Sequence, residues 1–214
     1  MSIRVRFQLI AGLLLAATGL PRSALAEGQQ NAHNKPEKSA EKEAEIKVST
    51  VAQPGSSVRA GRAVGVVEAS LEDVLAVVED YASYEKFMPH FRASRVLSRR
   101  GASALVYMQA SIAKDTMTLW AQLKVGPRPN QGKTRIIEAK MVQGNMDAMF
   151  ARWELTEVDG QHTLVAFQLL MDPKVPLPAS LVSDENEKAT QKTIRALRRV
   201  VADRAALSSN SAKR

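Results

Sequence analysis

The fold of this chain is decided by the segment PASLVSDENEKATQKTIRALRRVVADRAA, residues 178–206. Its apolar residues recur at spacings of three and four, which predicts a long helix with one buried stripe. Acidic side chains at 184–187 begin the helix and basic side chains fill its second half, an order that the helix dipole favours. The stripe is aliphatic in the second half but small or polar near Asn186 and Thr190. We therefore expect the helix to close a core at one end and to roof a cavity at the other.

Ahead of this helix, residues 91–172 alternate between apolar and polar side chains, which predicts antiparallel strands. The runs are 94–99, 104–113, 116–125, 134–143, 148–158 and 161–171. A strand at 62–69 comes earlier, followed by a helix that Ser70 caps and a second short helix that Pro89 ends. This order predicts an α+β domain. Its parts are a curved antiparallel sheet of about seven strands, two short helices after the first strand, and the long C-terminal helix.

The turn Lys114-Asp115 predicts how two of these strands pair. A two-residue turn there places Met108 opposite Ala121, and Ala110 opposite Leu119. Both strands then present apolar residues to one face and more polar residues to the other, a match that a one-residue slip would destroy. The sheet is therefore expected to have one buried side.

The turn Asp159-Gly160 is a residue pair that two-residue hairpin loops prefer, and it predicts the pairing of the last two strands. It places Trp153 opposite Ala166, Ala151 opposite Gln168, and Met149 opposite Leu170. On this register Gln168 shares a face with Trp153. A buried amide without a partner loses about 1–3 kcal/mol, so Gln168 is expected to contact a ligand, a water molecule, or Asn186 and Thr190 on the helix.

The space that one helix leaves over a curved sheet predicts a pocket for a small ligand. Several methionines lie near the buried face, and methionine adapts its shape to flexible apolar ligands. Tyr81 and Tyr84 have an apolar body and a polar tip, which suits residues that gate an entrance. The candidate ligand-binding residues are Tyr81, Tyr84, Phe87, Met108, Met117, Met141, Met149, Trp153, Gln168, Leu170, Asn186 and Thr190. The alternative is that the methionines and Trp153 fill an ordinary core, and that the tyrosines only anchor the short helices.

The first residues predict export. A signal peptide over residues 1–26, cleaved after Ala26, is indicated by a basic start, an apolar stretch at 7–20 and the small-residue site Ala24-Leu25-Ala26. The alternative is an uncleaved anchor, although the stretch is shorter than the ~20 residues of a membrane-spanning helix. We therefore expect a periplasmic or secreted protein.

Composition predicts the domain boundaries. Residues 27–57 are polar and rich in Gln, Lys, Glu, Ser and Pro, which predicts a disordered linker. One folded domain is expected at 58–206, and a disordered basic tail at 207–214.

Several kinds of chemistry are excluded or disfavoured. The chain has no cysteine, so it has no disulfide, no thiol nucleophile and no Cys-containing metal site. His33 falls in the linker and His162 beside a turn, whereas His90 follows Pro89 and is the histidine best placed to face the pocket mouth. The helix dipole explains the acidic residues 184–187, and the sequence has no phosphate-binding loop. We therefore predict no metal, no cofactor and no catalytic residue.

The formal net charge is +8, and its excess lies mostly in the last helix and the tail. Basic helix ends are usually solvated, so we do not expect the protein to bind nucleic acid. A membrane surface with anionic headgroups is a better partner for this patch.

Two groups of residues resemble the motifs of a known superfamily. The first group, Asp80-Tyr81 with Tyr84, Phe87 and Pro89, resembles D-Y-x-x-Y-x-x-F-x-P. The second group, Gly144 with Arg152-Trp153-Glu154-Leu155 and the Asp159-Gly160 turn, resembles G…W-x-L…G-T. In this order they are similar to the START / Bet v 1-like (SRPBCC) superfamily, in particular its polyketide-cyclase and coenzyme-Q-binding branch. The resemblance covers about residues 64–201, and it implies a helix-grip fold with a cavity for a hydrophobic ligand but no fixed chemistry.

The leading functional hypothesis is an exported, non-enzymatic carrier or sensor of a hydrophobic small molecule, such as a lipid, an isoprenoid quinone or a polyketide-like compound. The ligand would lie between the sheet and the C-terminal helix. One alternative is a cyclase, dehydratase or hydrolase that uses the same cavity. The other is a protein-interaction module with a filled core, which the volume beneath the last helix would distinguish from the first two.

Overall fold

A computed structural model of the chain describes residues 45–112 and 117–211. The strands are β1 (Lys47–Val51), β2 (Ala60–Val67), β3 (Phe91–Arg100), β4 (Ser103–Ile112), β5 (Met117–Gln131), β6 (Thr134–Gly144), β7 (Met146–Asp159) and β8 (His162–Pro173). The helices are α1 (Leu71–Val78), α2 (Tyr84–Phe87) and α3 (Ala179–Ser211), and a 3₁₀ turn at Tyr81–Ser83 precedes α2. The predicted signal peptide, the predicted linker up to residue 44 and the turn Lys114-Asp115 lie outside the described residues.

Within the described residues, eight strands form one curved antiparallel sheet in the order β1-β2-β8-β7-β6-β5-β4-β3. Helix α3 packs across β2 and β8, and its side chains Ile194, Leu197 and Val201 enter the main core. We call the side of the sheet that carries the helices the inner face. The predicted α+β class and helix-grip arrangement are confirmed. Among the described residues, no helix has the length and hydropathy needed to cross a bilayer.

Two boundaries differ from the prediction. Strand β1 lies inside the segment predicted to be linker, so the described part of the chain forms eight strands rather than about seven. β1 is an edge strand whose residues are exposed or half-buried, and backbone pairing with β2 rather than burial holds it. Because β1 buries few apolar side chains, the polar composition of this segment gave no indication of a strand. Helix α3 also continues to Ser211, past the predicted end at 206 and into the predicted tail.

The two short helices form where they were predicted. The side chain of Ser70 accepts a hydrogen bond from the backbone N–H of Asp73 at 3.1 Å, which caps α1. The second helix is a 3₁₀ turn followed by the single turn α2. After Pro89, the backbone of His90 has φ +66°, a left-handed conformation that turns the chain into β3.

The pairing predicted for β4 and β5 is confirmed residue by residue. Met108 lies opposite Ala121, and Ala110 lies opposite Leu119. The inner-face members Met108, Leu119 and Ala121 are buried.

The pairing predicted for β7 and β8 is wrong by one residue. Asp159 pairs with His162, so the turn is Gly160-Gln161, and a register shift follows between Glu157 and Asp159. The carboxylate of Asp159 accepts hydrogen bonds at 2.8 Å from the Gln161 N–H and the His162 ring, which stabilises this turn. As a result, Trp153 lies opposite Phe167, Ala151 opposite Leu169, and Met149 opposite Met171. A β-bulge of this kind has no clear sequence signature, and it moves every later side chain of β8 to the other face.

Candidate functional site

A small apolar cavity of about 50 Å³ lies between the inner face of β4–β8 and the segment that contains the 3₁₀ turn and α2. Within the described parts of the chain, all its lining side chains are aliphatic, aromatic or methionine. They are Tyr81, Tyr84, Met88, Phe91, Met108, Leu123, Val125, Ile137, Ala139, Met149, Ala151, Trp153, Phe167 and Leu169. The cavity therefore suits an apolar guest, because such walls offer few hydrogen-bonding partners.

Two tyrosines form the cover of this cavity. Their rings meet edge to face, with centroids 5.9 Å apart, and Tyr84 makes a second edge contact with Phe87 at 5.4 Å. The Tyr84 hydroxyl donates to the carbonyl oxygen of Val78 at 2.5 Å, which ties the cover to α1. The Ser94 hydroxyl donates to the carbonyl oxygen of Tyr81, also at 2.5 Å, which ties it to β3. The cover is thus held by few hydrogen bonds and by ring packing.

Burial keeps both tyrosines protonated. It raises the pKa of Tyr81 to about 12, with a further rise from Glu79 and an opposing effect from Arg99. Burial also raises the pKa of Tyr84 far above its usual value, while the Trp153 side chain lowers it in part. At ordinary pH both side chains are therefore neutral hydroxyls that can donate a hydrogen bond.

The floor of the cavity is built on β7 and β8. The rings of Trp153 and Phe167 are in contact, with centroids 4.1 Å apart and planes tilted by 34°. Both side chains are buried, and Leu169 and Ala151 extend the same apolar surface along the two strands. The one-residue register shift is what brings Phe167 to this surface.

Of the twelve candidate residues, five line the cavity: Tyr81, Tyr84, Met108, Met149 and Trp153. Three others, Phe87, Met117 and Met141, are half-buried and pack against the main core instead. Leu170 is buried in a second, smaller apolar cluster with Val58, Ala60 and Val182. His90 is exposed and does not line the cavity.

Gln168 lies on the outer face of the sheet, beside Arg62 on β2 and Arg152 on β7. The expectation that it shares a face with Trp153 is wrong, because the register shift moves it to the other side. The neighbouring side chains form an ion-pair network there. Arg62 and Arg152 both contact the carboxylate of Glu154, at 2.7 and 2.8 Å.

The candidates on the long helix are engaged with backbone groups. The Asn186 amide donates at 3.1 Å to the carbonyl oxygens of Arg59 and Met171, and its oxygen accepts the Met171 N–H at 3.1 Å. The Thr190 hydroxyl donates to the carbonyl oxygen of Glu187 at 2.7 Å. None of the lining side chains comes from residues 179–209 of α3, so the expectation that its first half roofs the cavity is wrong. The cavity is covered instead by the short segment Tyr81–Phe87, which carries the two tyrosines.

Nine lining residues were not among the candidates: Met88, Phe91, Leu123, Val125, Ile137, Ala139, Ala151, Phe167 and Leu169. A sequence signal was present for Leu123 and Val125, which follow Leu119 and Ala121 at the same period of two. For Phe167 and Leu169 there was no such signal, because their face depends on the β-bulge.

A larger concavity of about 750 Å³ lies between α1, the β7–β8 turn and the end of α3. Several of its polar side chains bond to neighbouring groups. Asp73 accepts a hydrogen bond from the Ser70 hydroxyl at 2.7 Å, and Arg204 pairs with Asp80 at 2.6 Å. This groove is open and mixed in polarity, whereas the small cavity has the apolar lining of a ligand site.

The fold is shared with solved structures of low sequence identity. The STAR-related lipid transfer protein from Xanthomonas axonopodis has a TM-score of 0.63 and 20% identity, over 73% of this chain and 93% of that chain. A START superfamily protein from Mycobacterium smegmatis has a TM-score of 0.56 and 18% identity, over 74% and 97%. Human StAR-related lipid transfer protein 5 has a TM-score of 0.62 and 14% identity, over 74% and 82%. No curated protein matches this chain.

The sheet, its order and the long helix define the helix-grip fold of the START / Bet v 1-like superfamily. Within this superfamily, residues 67–198 match the model of one family, described as polyketide cyclase / dehydrase and lipid transport. The chain belongs to that family.

Proposed function

We propose that this protein binds a hydrophobic small molecule in the cavity beneath Tyr81 and Tyr84, and that it acts as an exported carrier or sensor rather than as a catalyst. The observation that carries the proposal is the lining of the cavity. Among the residues that the structure describes, its fourteen lining side chains are all apolar or aromatic, and their nitrogen and oxygen atoms are limited to two tyrosine hydroxyls and one indole N–H. Burial of apolar surface at ~25 cal/mol per Å² would supply the affinity.

The family and the fold support this class of ligand. The family description names lipid transport, and two of the similar structures are named as lipid transfer proteins. The basic and apolar start of the chain supports export through a signal peptide.

The size of the cavity sets a condition on binding. About 50 Å³ accommodates only a few water-sized groups, whereas ligand pockets are roughly 300–1,000 Å³. A ligand must therefore widen the space. The cover is suited to this, because the 3₁₀ turn and α2 span only seven residues and methionines such as Met88 and Met149 adopt many shapes.

Intrinsic fluorescence provides a direct test. The sequence has two tryptophans, of which Trp153 lines the cavity and Trp120 does not. In a Trp120→Phe protein, decanol should change the Trp153 emission in a saturable way. Ala151→Leu should weaken this binding at least about tenfold, because the added carbons would occupy the apolar space next to Trp153 that the ligand has to enter.

The matched control is Val158→Leu, an exposed position on the same strand, which should leave decanol binding unchanged. Mass spectrometry of the protein purified without detergent should also show a bound apolar molecule. Absence of saturable binding in the Trp120→Phe protein, or equal binding by Ala151→Leu, would contradict the proposal.

A further inference from the structure

We propose that Arg99 and Tyr81 form a headgroup site at the rim of the cavity, so that the ligand is an amphiphile with an apolar tail and a small anionic head, a carboxylate or a phosphate. This inference rests on the proposed function, since it assigns the class of molecule that the cavity would take.

The position of Arg99 is the first observation. Its guanidinium carbon lies 5.7 Å from the centroid of the Tyr81 ring, and Tyr81 lines the cavity. On β3, Arg99 pairs with Ala104, which is buried in the main core. Since paired residues of an antiparallel sheet share a face, Arg99 belongs to the inner face.

A β-bulge produces this orientation. Val96 pairs with Val106, but the register shifts by one residue before Ser98 pairs with Leu105. With regular alternation after Val96, Arg99 would share the outer face with Arg95. The bulge therefore turns one cation of the strand toward the cavity side, as bulges beside functional sites often do.

The interactions of Arg99 are the second observation. Within residues 45–112 and 117–211, its guanidinium forms no salt bridge or hydrogen bond, and it lies over the Tyr81 ring. By comparison, Arg62 and Arg152 both pair with Glu154. A guanidinium that contacts only an aromatic face keeps its N–H groups for an oxyanion, which it binds in a bidentate manner.

The Tyr81 hydroxyl supplies a second donor. In the described part of the chain it donates to no protein group, whereas the Tyr84 hydroxyl donates to the carbonyl oxygen of Val78. Its raised pKa of about 12 means that it remains a protonated donor over the range in which a carboxylate is ionised. Arg99 thus offers charged N–H donors, and Tyr81 offers a neutral O–H donor, to one head group.

A negative charge also acts on Tyr81. Glu79, the C-cap residue that follows α1, raises the pKa of Tyr81, while Arg99 lowers it. Glu79 would repel an anionic head and oppose the attraction by Arg99. Removal of the Glu79 charge should therefore strengthen the binding of an anion, whereas removal of the Arg99 charge should weaken it.

The experiment compares ligands that share a tail and differ in the head. Trp153 fluorescence in the full chain carrying Trp120→Phe would report binding of decanoate, decyl phosphate and decanol. The two anions should bind more tightly than decanol, and the tighter of the two identifies the head group. Arg99→Gln should weaken the anions about tenfold and leave decanol within about twofold, as expected for loss of a charged hydrogen-bonding partner.

The control is Arg95→Gln, which removes an exposed cation from the outer face of the same strand and should change neither affinity. Glu79→Gln should strengthen decanoate binding and so tests the idea even if Arg99→Gln fails to fold. If decanol binds as well as the anions, or if Arg99→Gln weakens all three probes equally, the headgroup site is refuted while the apolar cavity stands. If no probe binds, the proposed function and this inference both fail.

Discussion

Gly61 lies directly against Asn186, where strand β2 passes beneath helix α3. A β-carbon on Gly61 would collide with the carbonyl group of Asn186, so helix and strand meet through their main chains. The pairing of β2 with β8 ends at Gly61 and Leu169, and the Asn186 amide then bonds to the next free groups, on Arg59 and Met171. The Asn186 side chain thus continues the hydrogen bonding between β2 and β8 past the last paired residues. No space for a ligand is left beneath this part of the helix.

Gly61→Ala should destabilise the protein by about 2 kcal/mol or more, because the added methyl group forces α3 away from the sheet. The measurement is urea denaturation followed by circular dichroism. Gly160→Ala is the control, since a β-carbon there meets no atom within 4 Å. It should change stability by no more than about 0.5 kcal/mol. Equal stability of the two variants would show that the close approach is absent.

Asn186→Ala should lower stability by about 3 kcal/mol, because it removes the partners of three main-chain groups in a buried position. Lys192→Ala, an exposed change on the same helix, should be nearly neutral. The same denaturation experiment measures both. If Asn186 were instead a ligand contact, Asn186→Ala would alter binding of decanol with little loss of stability.

The register of β7 and β8 is tested by neighbouring substitutions. Phe167→Ala should lower stability by about 3–5 kcal/mol, because it leaves a void next to Trp153. Gln168→Ala, on the outer face, should lower it by less than about 1 kcal/mol and leave the fluorescence of Trp153 unchanged. The reverse order of effects would indicate the alternative register with Gln168 inside.

Tyr84 should make the protein sensitive to alkali. Its pKa in the folded state lies above the ordinary value of 10.0, so the stabilisation it provides is complete below about pH 10 and declines as the pH rises further. Tyr84→Phe should be about 1 kcal/mol less stable at neutral pH, because the hydrogen bond to Val78 is lost. Its stability should then fall less than that of the parent between about pH 9 and about pH 11. If the stability of Tyr84→Phe and that of the parent fell equally over this pH range, the raised pKa of Tyr84 would be contradicted.

Glu154 should contribute to acid sensitivity. Burial acts to raise the pKa of its carboxyl, but hydrogen bonds and charges from Arg62 and Arg152 outweigh this effect, so its pKa lies below the usual 4.5. The associated stabilisation is present above about pH 4.5 and is lost as the pH falls through the lowered value. Glu154→Gln should therefore lose less stability between about pH 6 and about pH 3 than the parent does. Glu157→Gln, on the same strand but exposed, serves as the control.

Most of the architecture follows from local patterns. The period of 3.6 in α3, the cap at Ser70 and the alternation in β4 and β5 each act between near neighbours in the chain, so the sequence alone predicts them. The candidate site was harder to predict. Tyr81, Tyr84 and Trp153 line the cavity as expected, but Gln168 and Asn186 do not, because their surroundings depend on a bulge and on a helix–strand contact between distant residues.

The sequence by itself determined the class of fold, the order of its helices and strands, and the apolar character of the inner face, because these depend on side-chain periodicity and on turn and cap residues. Only the tertiary structure decided where the cavity lies. Two single-residue bulges, before Ser98 on β3 and before Asp159 on β7, set which side chains face inward, and the contact between Gly61 and Asn186 closes the space under α3. Such features depend on main-chain packing between segments far apart in the chain, which no local pattern records.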